Sequence, residues 1–115
     1  MKQYLAKMVF SIMSGNGLHT PQFDEQIRLI QANNKVQAFE KARHIGKSEE
    51  EEFLNEQQQT VKWQFIDVTD IFEVKDNHDG VEVFSRIEEV SDAGAHKNMV
   101  HHKAIVLQTQ LQPFF

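Results

Sequence analysis

The chain of 115 residues contains no cysteine. That absence removes disulfides, thiolate zinc sites and cysteine nucleophiles together, and it makes a reducing, cytoplasmic setting the economical expectation. No apolar run is long enough to cross a bilayer, so no membrane partner is expected. Lys7 interrupts the short apolar run at the N-terminus and no small-residue cleavage site precedes Gly15-Asn16-Gly17, so a signal peptide is not expected either. A basic excess is missing as well: 12 Lys and Arg stand against 17 Asp and Glu, for a formal net charge of −5. Proteins that hold nucleic acid by its phosphates need the opposite surface, so nucleic acid is not an expected partner. There is no internal repeat and no linker, and the length allows a single core.

What is present is a chain with 40% hydrophobic residues and a clear order of elements. Tyr4, Ala6, Met8, Phe10 and Ile12 alternate with a mixed set, which predicts a strand with one apolar face. Gly15-Asn16-Gly17 opens a loop, and Gln22 to Ala32 returns as a second strand. Asn33 or Asn34 caps a helix from Lys35 to Ile45, in which Ala38, Phe39, Ala42 and Ile45 share one face. Gly46 is expected to end it in a left-handed conformation. A short strand around Phe53 and a polar hairpin loop from Asn55 to Gln59 follow. Val61, Trp63 and Phe65 then have one parity and Ile66, Val68, Phe72 and Val74 the other, which predicts a bulge near Phe65 to Asp67. Asp76 to Gly80 forms a turn, and Val81, Val83, Ser85 and Ile87 begin a return strand. Ser91 caps a helix through His102, and Ala104 to Leu107 is read as a further short strand.

The chemical motifs are weak. Gly46-Lys47-Ser48 copies the end of a phosphate-binding loop, yet Lys41 stands where the first glycine is required, and the tripeptide closes a helix instead of opening one. His96, His101 and His102 do not have the spacing that puts two ligands on one helical face, so solvated histidines are the expectation. Lys75 occupies the first ligand position of any calcium loop counted back from Gly80. Asp67, Asp70, Glu73 and Lys75 form the one set that a divalent-metal hydrolase or nuclease could use, although carboxylates from a single strand are awkward partners. Trp63 with Phe65 and Phe72 could stack bases, but a core or interface anchor needs only burial and one partner for the indole N–H. The acids Glu49 to Glu52 are read as a solvated face.

The ordered set Ile27-Arg28-Leu29-Ile30-x-Ala32, Ala38-x-x-x-Ala42 with Gly46, Asn55, Val61-x-Trp63-x-Phe65, Val68-x-Asp70 and Asp79-Gly80-Val81-Glu82-Val83-Phe84-Ser85 resembles a bacterial family of small proteins, domain of unknown function 4288. The resemblance covers residues 1 to 88. It leads one to expect a glycine in the hairpin after Asn55, where this sequence has Gln57, Gln58 and Gln59, and a tyrosine at Phe84. It implies a fold and no activity, so it carries no site residues.

These observations together predict an α+β domain: an antiparallel sheet of four to five strands with one main helix on one face, in the order β-β-α-β-β-β, plus a helical or extended C-terminal tail. Residues 1–90 are expected to form the domain and 91–115 an assembly element. The expected function is non-enzymatic: a cytosolic protein-interaction domain, immunity-like or regulatory, with a protein partner or a second copy and without a cofactor. Its expected surface includes Trp63, Phe72, Met99, Leu107, Phe114 and Phe115. The alternative is the metal-dependent enzyme using Asp67, Asp70, Glu73 and Lys75.

Overall fold

Lys2–Ser14 forms the central strand β1, and its strict alternation decides the layout around it. Tyr4, Ala6, Met8 and Phe10 are buried, while Leu5, Lys7 and Val9 on the opposite face are half-buried. The computed structural model describes residues 1–112 and comprises two compact units, Met1–Phe84 and Ser85–Phe115. The first contains β2 (Gln22–Ala32), α1 (Lys35–Ser48), β3 (Glu51–Leu54) and β4 (Thr60–Val74) beside β1. Its four strands are ordered β2-β1-β4-β3, and each neighbouring pair is antiparallel. The α+β class and the helix-on-sheet arrangement are as the sequence predicts.

Asn34 caps α1: its side chain accepts from the Gln37 backbone N–H at 2.8 Å, and Gln37 Oε1 accepts in turn from the Asn33 N–H at 2.6 Å. The helix lays Ala38, Ala42 and Gly46 against the sheet, and all three are buried. Their small size lets the backbone come close while the strands supply the bulk through Tyr4, Met8, Phe10 and Ile30. Burial of each large side chain contributes about 1.5–3 kcal/mol. Phe39, Ile45, Trp63, Phe65 and Ile71 pack around this core.

Gly46 departs from expectation. It lies inside α1, which runs on to Ser48, and it is not among the glycines with positive φ, namely Gly15, Gly17 and Gly80. Its role is steric, because a Cβ at this position would overlap the Phe65 ring. The bulge expected near Phe65 to Asp67 is present. The register of β4 against β1 shifts between Val9 and Phe10, leaving Ile66 without a partner, and shifts again between Lys7 and Met8, leaving out Thr69. These two steps turn Phe65, Val68 and Ile71 all toward α1 despite their mixed parity.

The return strand from Val81 is not formed. Gly80 has φ +81° and the Val81 N–H donates to the His78 carbonyl at 3.1 Å. A turn with positive φ at its third residue alone splays the flanking segments, whereas hairpins need the primed turns. The segment is held instead by Phe84, whose ring meets Phe72 edge-on with centroids 5.2 Å apart.

The second unit holds α2, Ala93–Gln110. Asp92, not Ser91, is its cap, accepting from the Ala95 N–H at 3.0 Å. Gly94 falls in the first turn, where it interrupts little. With no further breaker before Leu111, the helix runs through Ala104 to Leu107, and the short strand expected there is absent.

Candidate functional site

The face of the sheet turned away from α1 is built by alternate residues of β2, β1 and β4. In register, Leu5 lies between Leu29 and Phe72, Lys7 between Ile27 and Asp70, and Ser11 beside Phe23. Phe23, Ile27 and Leu29 are 61%, 56% and 58% exposed. Lys7 Nζ reaches Glu25 at 3.3 Å, placing one ion pair among the apolar side chains. β2 is therefore apolar on both faces, with Ile30 and Ala32 in the core and Ile27 and Leu29 outside.

On the α1 face, Trp63 stands at the end of the core beside an open cleft of about 270 Å³ that it shares with Phe10, Asp24, Gln26, Glu49 and Phe53. The Trp63 indole N–H donates to Asp24 Oδ2 at 3.2 Å, and Gln26 Nε2 donates to the same oxygen at 2.6 Å. Arg28 donates to Gln26 Oε1 from Nε at 3.0 Å and from Nη2 at 2.7 Å, and it reaches Glu49 at 3.4 Å. The glutamates near the cleft are partly engaged in the same way. Glu50 accepts the Phe65 backbone N–H at 3.0 Å and lies 3.2 Å from Lys47 Nζ. The Phe65 N–H and, after it, Lys47 hold the Glu50 carboxyl below its usual range. The run Glu49 to Glu52 thus includes two residues tied into the fold through Arg28 and Phe65.

The acidic set on β4 is dispersed. Asp67 is held by Arg43 of α1, with Nε and Nη2 each 2.9 Å from a carboxylate oxygen, and this fork lowers its pKa to about 2. Asp70 lies opposite Lys7 and accepts from the Thr69 hydroxyl at 2.9 Å. Glu73 lies opposite Tyr4, 3.8 Å from Lys2 Nζ, while Lys75 follows the end of the strand. Among the described residues, no three His, Asp or Glu side chains converge as metal ligands would. Gly46-Lys47-Ser48 forms the C-terminal end of α1, which presents carbonyls instead of the amides an anion needs, and those of Ile45, Gly46 and Lys47 are taken up by the Glu49 and Glu50 N–H groups.

Of the aromatic and apolar residues expected to form an interaction surface, Trp63 and Phe72 lie on opposite faces of β4, opposite Ile12 and Leu5 of β1 respectively. Met99 and Leu107 are on α2 and are 45% and 55% exposed. Phe114 and Phe115 lie outside the described residues. The exposed trio on β2 was not singled out from sequence. Its signal is the presence of apolar residues at both parities of one strand, which means that both faces of that strand favour cover.

A sheet of four antiparallel strands carrying one helix defines a small α+β domain. The chain belongs to the family described as Domain of unknown function (DUF4288), which matches residues 3–85. No curated protein and no solved structure matches it. Among the described residues no helix is long and apolar enough to cross a membrane.

Proposed function

We propose that this chain is a non-enzymatic, cytoplasmic protein-interaction domain that receives a protein partner on the open face of its sheet. The observation that carries this reading is the exposure of Phe23, Ile27 and Leu29 along one regular strand. Ile27 and Leu29 are neighbours on that face, with Phe23 beyond the Lys7–Glu25 ion pair, and exposed apolar residues on a rigid surface favour displacement of water by another molecule. A net charge of −5 favours a basic partner, since complementary charge speeds encounter and suppresses wrong partners. An immunity-like or regulatory protein that occludes a basic target fits both features.

The test is to capture a partner with the full chain, identify it, and titrate it against wild type and Val9→Lys. Val9 lies on the open face of the central strand, between Glu25 and Asp67 in register. The variant should bind at least about tenfold more weakly while melting cooperatively. Unchanged affinity in a folded variant would remove the open face from this role.

A further inference from the structure

β2 is an outer strand of the sheet, with β1 on one side and no strand of the unit on the other. It runs for 11 residues without proline or glycine, and its pairing with β1 is unbroken from Gln22 to Ala32. Its outward N–H and C=O groups therefore recur without interruption at every second residue, as a template for another antiparallel strand requires. The other exposed edge in the sheet is different. Beyond the four residues that pair with β3, β4 is broken by the bulges at Ile66 and Thr69, and Glu50 occupies the Phe65 N–H. Among the described residues, a side chain from outside β2 meets its backbone only near the C-terminal end, where Lys41 Nζ donates to the Gln31 carbonyl at 2.9 Å.

We propose that a second copy of this chain adds its own β2 antiparallel to this edge, about a two-fold axis through Gln26. The segment Phe23-Asp24-Glu25-Gln26-Ile27-Arg28-Leu29, reversed about Gln26, matches itself at its charged pair and at its two apolar ends. With Gln26 opposite Gln26 of the second copy, Asp24 opposes Arg28 and Phe23 opposes Leu29, each twice by symmetry. The Asp24–Arg28 pairs fall on the α1 face and the Phe23–Leu29 pairs on the open face, where Glu25 lies opposite Ile27 and keeps its ion pair with Lys7 of its own copy. Neighbouring registers lose this match. An axis through Glu25 sets Glu25 against itself, and an axis through Ile27 loses both charge pairs, setting Arg28 against Gln26 and Asp24 against Ile30. The product is one continuous eight-stranded sheet made from two sheets of four. This inference rests on the reading of the chain as an interaction domain but uses the strand edge instead of the open face, so the two can fail separately.

Sedimentation of the full chain over a wide micromolar range tests it. Wild type should dimerise, Asp24→Arg and Arg28→Asp should each weaken the dimer by at least about tenfold, and the double variant should restore it across the two-fold. Because the sequence has no cysteine, Gln26→Cys gives a second readout that keeps both charges, while removing the Gln26 hydrogen bonds to Asp24 and Arg28. Directly opposed residues hold their Cα atoms about 4.5–5.5 Å apart, within the span of a disulfide, so mild oxidation should link the two copies, while Lys62→Cys on β4 should stay unlinked. A chain that stays monomeric throughout overturns the proposal. So does a dimer that neither charge reversal weakens, or one in which Gln26→Cys links no faster than Lys62→Cys. Loss of the partner site in Val9→Lys with the dimer intact bears on the open face alone.

Discussion

Gly46 and Phe65 share one volume: the ring occupies the space in which any side chain at position 46 would begin. The contact joins α1 to β4 at the point where β4 makes its first bulge. Gly46→Ala should therefore destabilise the domain by about 1–3 kcal/mol through overpacking, even though alanine is the better helix former. Placing the same change in a Phe65→Leu background should recover part of that loss. Urea denaturation of the four proteins in the cycle measures the coupling, and additivity would show that the ring is not the obstacle.

Arg43 and Asp67 give the stability a measurable dependence on acid. Their forked pair, beside a Phe39 ring 4.7 Å from the guanidinium carbon, lowers the Asp67 carboxyl from 3.8 to about 2. The folded value lies below the unfolded one, so the stabilisation is present above about 3.8 and is lost as pH falls through about 2. Both side chains are roughly half exposed, so the effect is small. Asp67→Asn should be less stable than wild type at neutral pH, and the gap should narrow as the pH falls across that window. Denaturant midpoints at several pH values test the sign.

Gln58 has φ +62°, in the left-handed region that disfavours a side chain. It sits in the β3–β4 loop, where Asn55 Oδ1 accepts the N–H groups of Gln57 and Gln59, each at 2.9 Å. Gln58→Gly should raise stability by about 0.5–1 kcal/mol, since relief of backbone strain exceeds the added entropy of the unfolded chain. A thermal melt decides the sign.

Magnesium, manganese and zinc offer a separate check on the enzymatic alternative. Asp67 is committed to Arg43, and Glu73 lies beside Lys2. The melting midpoint of the full chain should not rise with any of the three ions, because only a ligand of the folded state raises it. A rise that Asp70→Asn abolishes would establish a metal site on β4.

The parts of the fold that were legible in the sequence were those set by local chemistry. The alternation from Tyr4 to Ile12, the Asn34 cap and the parity change in β4 each correspond to one physical demand on a few neighbouring residues. Gly46 is ambiguous in sequence because glycine after a helical face serves equally as a left-handed stop or as a close contact, and only the distant Phe65 distinguishes them. Val81 to Ile87 has the alternation of a strand, but Gly80 gives the chain a turn whose twist does not suit a hairpin. Ala104 to Leu107 has strand-like side chains within a segment that nothing interrupts, and helix propagation overrides their preference. For the candidate site, Trp63 required its partner Asp24, 39 residues away, before its role could be read. Exposure of Ile27 and Leu29 depended on which face α1 would cover.

β1 comes first in the chain yet ends in the middle of the sheet, and its second neighbour, β4, follows α1 and β3. During synthesis the hairpin of β1 and β2 can close early, but the apolar side of β1 has no complete shelter until β4 leaves the ribosome. The decisive pairing is non-local and bears the entropy of a long loop, so folding should be slower than hairpin closure. Nascent chains halted before Val74 would present Tyr4, Met8 and Phe10 to solvent, making the interval before release the period when this protein most needs a chaperone.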